Sequence, residues 1–166
     1  MSNQPATRPH TELPFRRTEW DLLVKLPGRV VVAATSVHPD STRRTVAEGL
    51  AGIGAIAAGR ASASRLVRDV VAAIYDESDD DRPGAEEFRD RTAGVEAVLD
   101  SCRAAGRLLT ERAGRLEADA YRHWLVAIAT RVCHAARTGG LLSLGGAALS
   151  PVEQRFLTEL AAALDG

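Results

Sequence analysis

Large rings are scarce in this chain: Phe, Tyr and Trp together make only 4% of the 166 residues. The apolar content is mainly Ala, Leu and Val, so a core built from it suits closely packed helices. Cysteine is nearly absent. Cys102 and Cys133 both sit in helical patterns, and in a hairpin turning near Gly114 they are offset by about 10 Å along the helix axis. That offset excludes a disulfide and makes both reduced core residues. Lysine is missing except for Lys25; the other basic residues are dispersed arginines, which read as high-GC coding rather than phosphate binding. Net charge is also missing. At -1 overall, the chain has no global attraction to nucleic acid or to anionic membranes.

Long hydrophobic runs are absent too, and nothing approaches the roughly 18 apolar residues of a membrane span. Met1 to Pro14 is polar and proline-bearing, without the apolar stretch of a signal peptide. A cytoplasmic location is therefore expected. Catalytic signatures are missing as well. There is no Gly-x-Ser-x-Gly elbow, phosphate loop or dinucleotide fingerprint. Gly52-x-Gly54 falls inside a helical pattern with no preceding strand. Cys133 and His134 are neighbours, and on a helix their side chains diverge by about 100°. The Glu-x-x-His pairs of a diiron bundle do not occur, since the relevant segment reads Glu117-Ala118-Asp119-Ala120. The expectation is a protein without catalytic activity.

What the chain does contain is helical periodicity. It predicts a single-domain, all-α bundle of six or seven helices over residues 17–166, behind a mobile tail at 1–16. Thr18-Glu19-Trp20-Asp21 reads as a helix start running to about Lys25, and Pro27 as the first residue of a further element to Val37. Val30-Val31-Val32 has the composition of a buried strand, but no second run exists to pair with it, so a helix is expected. Ser41 to Ala58 is a helix crowded with small residues. Glycine there costs about 1 kcal/mol relative to alanine, so Gly49, Gly52 and Gly54 point to close contact with another backbone. A helix capped by Ser62 or Ser64 runs to Tyr75. The acidic run Asp76–Asp81 and Pro83-Gly84 then read as a solvated linker. Residues 85–113 and 115–138 are two long helices, with Gly114 as the turn or as a tolerated interruption.

The end of the chain is the most explicit part. Gly139-Gly140 stops a helix, Leu141-Leu142-Ser143-Leu144 forms an apolar loop, and Gly145-Gly146 closes it. Ser150-Pro151-Val152-Glu153 then opens a new helix with Ser150 as N-cap, Pro151 at N1 and Glu153 completing a capping box.

Two segments also look alike. Val31 to Val37 and Val126 to Val132 are alanine-rich helical stretches, and each precedes a turn and a helix with an early glutamate, Glu48 or Glu153. This arrangement is similar to the TerB-like tellurite-resistance proteins, which are all-helical. The block from Tyr121-Arg122-His123-Trp124-Leu125 to Glu153 also looks like the tail of uncharacterised bacterial helical proteins. The TerB-like resemblance implies a divalent-metal role for the acidic residue of the turn and the early glutamate, here Asp40 and Glu48. The second half departs from the pattern, because its loop has no aspartate and only Glu153 matches. Read from the residues alone, Asp40 stabilises a turn or caps the helix that follows, Glu48 faces solvent or pairs with Arg44, and Glu153 belongs to the capping box.

Asp119 and His123, at i,i+4, can meet as a surface pair. Trp20, Tyr121 and Trp124 are core anchors or, given their rarity, partner contacts. The loop leucines Leu141, Leu142 and Leu144 either fold onto the helices or offer an apolar contact. Three functions follow. The first is a small cytoplasmic interaction or stress-associated module, acting as a homodimer or on a protein partner through helix 42–58 and loop 139–149. The second is a metal-binding protein with Asp40 and Glu48. The third is a ligand-binding bundle with a site at Gly49, Gly52 and Trp124.

Overall fold

The computed structural model describes residues 14–37, 42–76, 90–138 and 148–166, with side chains from Val46 onward in the second helix and up to Ala135 in the fifth. Asp40, Leu141, Leu142 and Leu144 lie outside the described residues, as does most of the acidic run. Among the described residues six α-helices form one bundle: α1 (Arg17–Ser36), α2 (Thr42–Ala58), α3 (Arg65–Asp76), α4 (Arg91–Arg112), α5 (Arg115–Thr138) and α6 (Pro151–Asp165). A short 3₁₀ turn, Gly59–Ala61, follows α2. No strand occurs among the described residues. Helix α5 touches each of the other five. Its broadest contact is with α2, while α4 lies between α1 and α6.

The core is aliphatic, as the composition requires. Leu23, Leu26, Val30, Val67, Val70, Leu109, Leu125, Ile128, Leu160 and Leu164 are fully buried. Each such side chain removed from water contributes about 1.5–3 kcal/mol against the entropy of folding.

Pro27 does not open a new helix. It lies inside a continuous α1. Proline has no N–H, so it leaves the carbonyl of residue i−4 without its helical donor. That carbonyl belongs to Leu23, and the buried Tyr121 hydroxyl donates to it at 2.7 Å. Tyr121, which its sequence context allows as core anchor or partner contact, is thus wholly internal, and its hydroxyl repairs the proline break. Phe15 packs on the core and stacks on Trp20, so the fold begins ahead of α1.

Local signals fix the other ends. Arg16 N–H donates to Glu19 Oε2 at 2.7 Å, the acidic half of a cap for α1. Ser64 Oγ accepts from Val67 N–H and starts α3. The long helix expected from residue 85 starts at Arg91, with Asp90 accepting from Ala93 N–H as its N-cap. At α6, Ser150 N–H donates to Glu153 Oε2 at 2.7 Å and Glu153 N–H donates to Ser150 Oγ at 3.2 Å, the full capping box. Cys102 and Cys133 are free and buried.

Candidate interaction face

Helix α2 is assembled the wrong way round for a surface helix. From Val46 to Gly59 its sequence contains one polar side chain, Glu48, and that one is buried. Beside Glu48, its inner side is Gly52, Ala55 and one large residue, Ile56. A Cβ on Gly52 would stand 2.5 Å from Val31 Cγ1 and 3.2 Å from Val132 Cγ2, and one on Gly59 would stand 2.8 Å from Val71 and 2.9 Å from the Trp124 ring. Gly52 lets α2 lie close on α1 and α5, Gly59 lets the turn after it lie close on α3 and α5, and the Trp124 indole N–H donates to the Ala55 carbonyl at 3.3 Å.

The outer side carries the large residues. Val46, Leu50 and Ile53 are 57%, 65% and 59% exposed. Their spacing of four and three residues places them on one helical stripe. Gly49 and Gly54 flank that stripe, with nothing within 4 Å of a Cβ at either. Water thus meets an apolar face where a solvated helix normally presents charge.

The face continues into a groove between α2 and α5. Its floor is Ala51, Gly54, Ala55, Ala58 and Gly59, and its far wall comes from α5. It forms two open hollows of about 500 and 570 Å³ that share Arg131. Trp124 and His123 stand at one end and His134 at the other. Among the described residues no carboxylate lines the groove. A smaller hollow between α1, α4 and α6 is lined by Arg91, Glu96, Arg155 and Glu159, both signs together, as an ordinary solvated rim is.

The residues singled out in the sequence fall into distinct places. Gly49 lies beside the exposed stripe, Gly52 is closed by packing, and Trp124 reaches the groove. Gly49 and Gly52 do not line the groove with Trp124. Tyr121 is fully buried and cannot touch a partner. Trp20 is half-buried on the opposite part of α1, against Phe15. His123 does meet Asp119, but through the backbone: Nδ1 lies 2.7 Å from the Asp119 carbonyl, while the Asp119 carboxylate pairs with Arg122 and Arg115.

Glu48 does not face solvent. It is 4% exposed, and Glu153 is 2% exposed. The two glutamates of the look-alike segments come from α2 and α6 to the same thiol. Burial pushes Cys133 up to about 12, and the charges of Glu153 and Glu48 add to that rise. Cys102 is likewise pushed up to about 12 by burial, against the nearby Arg29 and Arg103. Both sulfurs therefore remain thiols at neutral pH and are poor nucleophiles. Among the described residues no three Asp, Glu, His or Cys side chains are grouped to hold a metal ion.

Two interhelix clamps have no signal in local sequence. Glu117 on α5 caps α3 in trans, accepting from Ser64 Oγ at 2.6 Å, Leu66 N–H at 2.8 Å and Arg65 N–H at 3.3 Å. Burial opposes its ionisation, but these hydrogen bonds, with Arg68 nearby, prevail and lower its pKa. Arg122 donates to the Leu164 carbonyl at 2.8 Å and the Gly106 carbonyl at 3.2 Å, binding the end of α6 to α4.

The fold and its face define a helical bundle in which α2 turns an apolar stripe to water. Compared with known proteins, the chain matches no family model, no curated protein and no solved structure.

Proposed function

We propose that this protein is a non-catalytic interaction module of the cytoplasm whose contact surface is the outer side of α2. The observation that carries this reading is the stripe Val46, Leu50 and Ile53, more than half exposed on a helix whose only polar side chain between residues 46 and 59 points inward. Keeping three large aliphatic residues in water gains the isolated fold nothing, whereas covering them on a partner gains about 25 cal/mol per Å². The test is a photo-crosslinking residue placed at Leu50 in cells, with one at Val152 as control. Val152 is also exposed, at 48%, but lies by the mixed-charge hollow. Adducts from position 50 and none from 152 are expected. No adduct from 50, or equal adducts from both, overturns the reading.

A second reading, divalent-metal binding in line with the TerB-like resemblance, is favoured by a separate observation. Glu48 and Glu153 are both buried, and the charges of both act on Cys133. A complete site needs a further ligand, for which the sequence offers Asp40. Native mass spectrometry before and after EDTA tests it. A chelator-sensitive mass of one divalent ion, lost in Glu48→Gln, supports the reading. The same mass in both conditions contradicts it.

A further inference from the structure

We infer that the face formed by α2 and α5 receives an acidic amphipathic helix of a partner protein. This rests on the interaction reading above and adds the chemistry of the partner. Three features select it. The stripe of Val46, Leu50 and Ile53 runs about 10 Å along the helix, and the whole face from Val46 to Ala58 about 20 Å, the length of three to four helical turns. Beside the stripe, Ala51, Gly54 and Ala58 form a floor without bulky side chains, which lets another helix backbone settle between α2 and α5. The charged residue lining this groove is Arg131, which is exposed and makes no ion pair among the described residues. His123 and His134 stand beside it as further donors.

An incoming helix with an aliphatic face and flanking carboxylates satisfies both the apolar stripe and this rim. A second copy of the chain is a poorer occupant, because two-fold pairing across the groove brings Arg131 of each copy towards a surface of the same sign and supplies no carboxylate from the groove lining. An extended peptide lacks a template, since no strand edge is present among the described residues.

The probes are two synthetic amphipathic helices with the same leucine face, one flanked by glutamates and one by lysines. Binding to the full chain is read from Trp124 emission in a Trp20→Phe background. The glutamate-flanked helix is expected to bind about tenfold tighter, Arg131→Glu to reverse the preference, and Leu50→Glu to remove binding of both. Arg131 and Leu50 are exposed, so both variants are expected to fold; circular dichroism checks this. Equal binding of the two helices, preference for the lysine form, or binding of neither overturns the inference. So does a dimer of the chain in sedimentation that Leu50→Glu dissociates, or binding to anionic phospholipid vesicles that excludes the acidic helix. If position 50 crosslinks in cells while the acidic helix fails, the acidic partner is wrong and the interaction reading stands.

Discussion

Helices α2 and α6 begin alike and end up opposite. Each carries a buried glutamate in its early turns, and both glutamates lie near Cys133. Yet α6 puts Phe156, Leu160 and Leu164 inside and shows Gln154, Arg155, Thr158 and Glu159 to water. Helix α2 puts Gly52, Ala55 and a single large aliphatic residue, Ile56, inside beside Glu48, and shows Val46, Leu50 and Ile53. Large residues on the inner face make α6 a stabilising element. Mostly small residues on the inner face make α2 a thin layer laid close on α1 and α5, with its bulk left for something else. The same bundle thus contains one helix that serves the fold and one whose outer side does not.

The contrast breaks most visibly in the core of α6. Leu160→Ala is expected to destabilise the protein by about 3 kcal/mol in chemical denaturation, through lost burial and a residual cavity. Leu50→Ala, the same truncation on α2, is expected to stay within about 0.5 kcal/mol of the parent.

Glycines within α2 sharpen the comparison, because two of them should respond with opposite sign. Gly52→Ala pushes a methyl into Val31 and is expected to cost about 1–3 kcal/mol. Gly54→Ala meets nothing within 4 Å and is expected to gain up to about 1 kcal/mol from helix propensity. Thermal unfolding of the pair reads both.

Glu117→Gln removes the charged cap of α3 and is expected to cost about 1 kcal/mol at neutral pH. Its folded pKa lies below the ordinary value of 4.5. The stabilisation is therefore present above the unfolded value and is lost as pH falls through the folded one. The gap between parent and variant should close in denaturation series taken into that acidic range. Last, alkylation of the native protein by iodoacetamide is expected to be slow at Cys102 and Cys133, both buried thiols held protonated near neutral pH.

How much of this was legible in the sequence depends on whether the deciding contact was local. The α6 capping box follows from residues within a few positions of one another, and so does the helical periodicity behind the all-α class. Local signals also narrow the α3 cap to Ser62 or Ser64 and mark Gly114 as a turn or a tolerated interruption, which the structure resolves as Ser64 and a break between α4 and α5. The continuity of α1 through Pro27 has no local signal, because the repair comes from Tyr121, 98 residues beyond the Leu23 carbonyl that it reaches. The reach of Glu117 to α3 and of Arg122 to the end of α6 is equally non-local. The small-residue character of α2 was evident, but not which glycine is tight. The sequence places Ala51 on the same helix, yet it lines the open groove while Gly52 bears the close approach. One signal for the exposed face was available. A helix with a single polar side chain between residues 46 and 59 cannot present a polar side to water, whichever way it turns.

The central claim is that the outer face of α2 exists for a partner and not for the fold. The direct measurement is the Leu50→Glu variant carrying a photo-crosslinker at Val46, examined for both denaturation midpoint and adducts in cells. The account expects a midpoint equal to the parent's and adducts that disappear. A loss of stability above about 1 kcal/mol, with adducts unchanged, would mean that the chain's own structure depends on Leu50, and would contradict it.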